Sequence, residues 1–150
     1  MIVQILKSCY PQLCSIKSLN METTSFLLLR LAIAISMFGH GLVRLPKLTT
    51  FSNWMVGTFE NSMLPKILVT PFSYILPIVE FTIGLLLLLG LFTKPSLIAG
   101  AIVMLALLFG TSLIENWEAV PSQLIHIAFF ALLLHFANYN SWAIDTLIKK

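Results

Sequence analysis

Long apolar runs alternate with short polar breaks along this chain. Four runs stand out, at residues 25–43, 72–92, 96–114 and 121–138. At a rise of 1.5 Å per residue, each of the first three covers a hydrocarbon core of about 30 Å. The fourth carries Gln123, His126 and His135, which the inward face of a bundle accommodates. The second and third runs are joined by the tight break TKPS at 93–96, which makes them antiparallel neighbours, and Pro95 suits a first helical turn. Residues 115–121, between the third and fourth, are short and polar. The pattern predicts an all-α integral membrane four-helix bundle with up-down-up-down connectivity.

The longest break, residues 44–71, has structure of its own. Leu48, Phe51, Met55 and Phe59 recur near helical spacing, with Trp54 beside them. Two readings stand: an interfacial helix with its aromatic rings at headgroup depth, or a loop packed over the helix ends.

Composition fixes the class. The chain is 58% hydrophobic and 10% charged, with mean hydropathy +0.94, where a soluble domain carries about 25% charged residues. A scattered net charge of +3 gives no footprint for nucleic acid, so lipid is the expected partner. No nucleotide-binding loop, metal motif or hydrolytic triad occurs. Residues 1–20 lack the basic start, unbroken apolar centre and small-residue cleavage site of a signal peptide. They are expected to be a disordered leader, or to precede a true start at Met21, leaving 21–150 as the membrane domain. Cys9 and Cys14 both lie there without a second ligand pair. The rest of the chain has no thiol, which excludes disulfide-forming chemistry in the membrane domain. Lys7, Lys17, Lys94, Lys149 and Lys150 fall on one side, against Arg44, Lys47 and Lys66 on the other. Both termini are thus expected in the cytoplasm.

The candidate chemistry centres on Glu80, inside the second run. A charge at a helix centre costs about 2.5–3.5 kcal/mol on insertion scales, while each Leu, Ile or Phe returns about 0.3–0.6. The helix therefore inserts regardless, and the residues around Glu80 say more. Pro77, Glu80 and Gly84 share one stripe of the helix. Gly84 admits a close neighbour, and Pro77 leaves the carbonyl of Ser73 without its helical donor. This polar stripe is expected to face inward, with Arg30 and His40 of the first run as partners. Arg30 and Glu80 differ in depth, so an ion pair competes with snorkelling of Arg30 to the headgroups. Ala32, Ser36, Ala106 and Gly110 supply further small residues for helix contact.

The other polar residues are secondary candidates. His40 and His126 share a depth, which admits a bis-histidine haem as well as plain hydrogen-bonded histidines. His126 and His135 are nine residues apart, on opposite faces and about 13 Å distant. Asp145 is expected to cap a helix or hold loop backbone.

Three stretches resemble the DoxX family of small four-helix membrane proteins. LLLRLAIAISMFGHGLVRL at 27–45 is similar to the family's opening helix, with its arginine, His-Gly pair and following basic residue. EFTIGLLLLLGLFTKP at 80–95 resembles its glutamate, glycines and threonine-basic turn. YNSWAID at 139–145 is like its aromatic-Ser-hydrophobic-Asp ending, departing from it at Asn138, Asn140 and Ala143. The resemblance implies a membrane subunit of a quinone-linked redox or stress-response complex, with a redox-enzyme partner. Arg30, His40 and Glu80 would line its inner pocket, Glu80 as proton carrier or quinone hydrogen-bond partner. No residue is assigned a catalytic role. The alternatives are a small proton-coupled transporter, in which Glu80 exchanges a proton against a substrate, and a non-catalytic membrane scaffold.

Overall fold

The computed structural model describes the backbone of residues 11–148 and the side chains of residues 21–148. Its elements are α1 (Pro11–Arg44), a 3-10 turn (Leu45–Lys47), α2 (Leu48–Thr58), α3 (Lys66–Leu89), α4 (Thr93–Leu113), α5 (Val120–His135), a second 3-10 turn (Ala137–Tyr139) and α6 (Ile144–Ile148). There is no strand among the described residues. Three helical stretches are long and apolar enough to cross a membrane: residues 21–58, α3 and α4. At 16 residues, α5 is shorter. The helix of α1 begins at Pro11, ahead of Met21; residues 1–10 of the expected leader, with Cys9, lie outside the described residues.

Local chemistry sets the breaks. Pro46 has no backbone N–H, so the helix tightens into a 3-10 turn; Lys47 leaves the helical region at φ −122°, ψ 31°, and α2 resumes at Leu48. Gly90 ends α3 in the left-handed region at φ 65°. The Leu91 N–H then reaches back to the Leu86 carbonyl at 2.9 Å, a helix-closing bond that favours glycine at this position.

Residues 44–71 hold one of the two features the pattern offered, a helix, and the structure adds how it packs. This helix, α2, packs lengthwise on α3. Four contacts descend one helix while climbing the other: Phe38 with Gly84, Gly41 with Phe81, Arg44 with Glu80, and Ser52 with Ser73. Together α1 and α2 form one broken helix running antiparallel to α3. The Ser52 and Ser73 hydroxyls pair at 2.7 Å, and Met55 packs with Val69 and Leu76 of α3.

The main core joins four helices: Ile33 and Met37 of α1, Ile83 and Leu87 of α3, Leu97 and Met104 of α4, and Phe130 and Leu133 of α5. The outer surface is apolar as well, with Ile35, Ile78, Leu85, Ile102, Leu105 and Ile125 all exposed. A surface as apolar as the interior is the signature of a chain whose solvent is lipid.

Candidate functional site

Glu80 faces inward, buried to 2% exposure on the same buried stripe as Pro77 and Gly84. The residue that meets it is Arg44, whose Nη1 donates to Oε2 at 2.5 Å. The Arg44 guanidinium also stacks over the Phe51 ring, 4.8 Å from its centroid. Gly41 and Gly84 explain the geometry: each lies against the backbone of the facing helix, at Phe81 and Phe38, which brings α1 close enough for Arg44 to reach across. Glu80 lies about 15 Å along α3 from Gly90 and about 21 Å from Lys66. Both distances place it in the middle of the helix rather than near an end. Two charges there lose hydration worth several kcal/mol each, so each depends on the other.

The expected pocket of Arg30, His40 and Glu80 does not form as one site. Arg30 lies 14 residues from Arg44 on α1, about 21 Å away along the axis. It is buried at the other end of the bundle, where Nη1 donates to Asn140 Oδ1 and Nη2 to the Trp142 carbonyl, both at 2.7 Å. Asn140 in turn donates to Thr93 Oγ1 at 3.0 Å. Asp145 closes the cluster: its two carboxylate oxygens accept the N–H groups of Phe92 and Thr93 at 2.7 and 2.8 Å. A carboxylate at the start of α4 also complements the positive end of the helix dipole. Phe92 is a non-glycine residue at φ 48°, a strained conformation held by that carboxylate. The C-terminal segment is thus a strap across the α3–α4 turn, tied to a buried arginine rather than to the membrane surface.

The histidines divide. His126 is bonded through both ring nitrogens, Nε2 to the Ser36 hydroxyl at 2.8 Å and Nδ1 to the Ser122 carbonyl at 2.7 Å. Neither nitrogen is left for a haem iron in this arrangement. His40 lies exposed on α1, one turn from both Ser36 and Arg44, with Arg44 and His126 as its charged neighbours. His135 is exposed at the end of α5, edge-on to the Phe136 ring at 4.8 Å. No three metal-ligating side chains converge among the described residues.

Arg44 also lines a cavity of about 470 Å³ between α2, α3 and α4. Its walls include Phe51, Phe59, Phe72, Leu76 and Leu107, and its polar edge is the Thr111–Gln123 pair, bonded at 2.8 Å. Sequence reading missed Arg44 as Glu80's partner because residue 44 was placed at the start of a loop. The cavity was not legible because the spacing of Phe51, Met55 and Phe59 gives α2 an apolar face without saying which helices that face packs against. The glycines were the usable signal: Gly41 and Gly84 mark the close crossing that sets the register.

Long apolar helices closed around a buried ion pair define a small helical membrane protein. The chain belongs to the DoxX family, whose family model matches residues 25–112. No curated protein and no solved structure matches the chain. The matched stretch holds Arg30, Arg44 and Glu80, whereas the strap at 140–145 lies beyond it.

Proposed function

We propose that this DoxX protein is the membrane subunit of a quinone-linked redox or stress-response complex, with the Arg44–Glu80 pair as its working site. The observation that carries this reading is that Arg44, held by the buried Glu80, forms part of the wall of an aromatic-lined cavity. About 470 Å³ lies within the range of pockets that enclose small organic molecules. Phe51 and Phe72 offer faces for a planar ring, and the guanidinium offers N–H donors to a ring carbonyl. The residues therefore fit a quinone head. Bound there, such a head supplies two-electron, two-proton chemistry. Arg44 would orient it, and Glu80 would hold a proton beside it.

In this reading α5 is the fourth crossing, which returns the chain to its starting side. Arg44 is neutralised by Glu80 and drops out of the loop-charge count. Lys94, Lys149 and Lys150 then outweigh Lys47 and Lys66, which supports cytoplasmic termini in an inner membrane. Proton-coupled transport through the same carboxylate is the alternative.

The test is purification from native membranes, with identification of co-purifying proteins and a quinol-coupled dye-reduction assay. A redox-enzyme partner and activity lost in Glu80→Gln are expected. Uptake into proteoliposomes driven by a pH gradient, with no quinol activity, would select transport. Protein inert in both assays and lacking a redox partner would leave a scaffold.

A further inference from the structure

The side on which the cavity opens carries information about how its occupant arrives. Three lining residues, Trp54 of α2, Leu68 of α3 and Phe109 of α4, are each about 60% exposed. They come from three different helices and are all apolar, and they mark a mouth on the flank of the bundle. Arg44 stands on the inner side of the same cavity, paired with a buried carboxylate. Exposed Thr58, at the end of α2, and Asn116, beyond the end of α4, also line the cavity. The flank marked by Trp54, Leu68 and Phe109 is apolar, and it opens on the surface that lipid covers.

From this arrangement we infer that the cavity is a lateral binding site, filled from the bilayer through a mouth between α2 and α4. Its occupant is a lipid-soluble molecule with a compact hydrogen-bonding head and an apolar tail. The head is seated at Arg44, and the tail leaves past Trp54, Leu68 and Phe109 into the acyl chains. The site deepens the quinone-linked reading, since it rests on the same pair and adds the route and the tail.

Trp54 serves as reporter. With Trp117→Phe and Trp142→Phe, it is the remaining tryptophan of the chain. In lipid nanodiscs, phosphatidylcholine brominated on its acyl chains is expected to lower Trp54 emission at least twofold. A decyl-tailed benzoquinone should then quench the residual emission saturably, at roughly tenfold lower concentration in the bilayer than tail-less benzoquinone. Ala106→Leu, which narrows the mouth from an exposed lining position, should abolish the saturable phase and leave the brominated quenching intact. Arg44→Gln should weaken saturation about tenfold. Trp54 emission indifferent to brominated chains overturns the lateral mouth, even if the quinone saturates. Strong brominated quenching with no saturable quinone phase sinks the quinone reading, and replaces the proposed occupant by a lipid acyl chain.

Discussion

Arg44 and Glu80 form an ion pair across α1 and α3, 2.5 Å apart, with side-chain exposures of 29% and 2%. Glu80 cannot reach water, so its charge depends on the guanidinium. Removing either partner strands the other. Breaking a buried pair costs about 3–5 kcal/mol, and the partial exposure of Arg44 points to the lower end, about 3 kcal/mol. Arg44→Gln and Glu80→Gln should each lower the thermal unfolding midpoint in detergent by several degrees. The double change Arg44→Met with Glu80→Leu should recover most of that loss, since two apolar residues leave no charge behind. Midpoints that simply add in the double variant would show that the two residues are not coupled.

The crossing that permits this pair rests on two glycines. A methyl group on Gly84 would meet the backbone of Phe38, and one on Gly41 the backbone of Phe81. Backbone cannot swing aside as a side chain can, so either alanine forces the helices apart. Gly84→Ala and Gly41→Ala should each destabilise by about 2–3 kcal/mol, the upper part of the overpacking range. Gly39→Ala meets nothing within 4 Å on the same helix and should be neutral or slightly stabilising. Scanning fluorimetry on the three variants checks the contrast. Equal midpoints would mean that α1 and α3 do not cross at these residues.

The strap is the next test. Asp145 accepts two backbone N–H groups at the start of α4, and Asn140 bridges Arg30 to Thr93. Asp145→Ala should cost about 1–2 kcal/mol, as for loss of a helix cap. It should also expose the residues after Phe136 to protease. Arg30→Lys should free the same segment, because a single ammonium cannot replace a planar fork bonded to two acceptors. Limited proteolysis with mass analysis distinguishes release of the strap from global unfolding. A C-terminus as resistant as in the parent protein would refute the latch.

How far these sites were legible in the sequence varies with the range of the contact. The inward face of Glu80 was readable, because Pro77 and Gly84 share its stripe within two turns of one helix. Its partner was not. Residue 44 precedes Pro46 and a polar break, which reads as a helix end, whereas the chain turns once and resumes along α3. Arg30 was harder still. Its acceptors lie 110 and 112 residues away, and no helical periodicity connects residues that far apart. The one available hint was Asn140, a departure from the family's ending that the structure uses as a bridge. Helix existence comes from local hydrophobicity; partner choice across helices comes from register, and in lipid register is set by small residues and polar contacts rather than by burial.

The last prediction concerns the strapped end of the bundle and alkaline pH. Tyr139, in the 3-10 turn after α5, hydrogen-bonds to Glu22, and that bond, with the carboxylate's charge, holds the phenol above its ordinary pKa. The neutral phenol donates and the phenolate cannot, so ionisation costs the bond and sets two negative charges side by side. The folded pKa lies above that of the unfolded chain. The interaction therefore contributes stability that is fully present below about pH 10, and it fades as pH rises through the folded value. Unfolding midpoints measured from pH 8 to pH 11.5 should fall for the parent protein near the top of that range, and fall less in Tyr139→Phe. In the tyrosinate absorbance titration, Glu22→Gln should shift the latest-ionising component back toward the ordinary range. A titration unchanged by Glu22→Gln would show that the two ends of the membrane domain are not bonded at this point, and that the strap is held by Arg30, Asn140 and Asp145 without help from Tyr139.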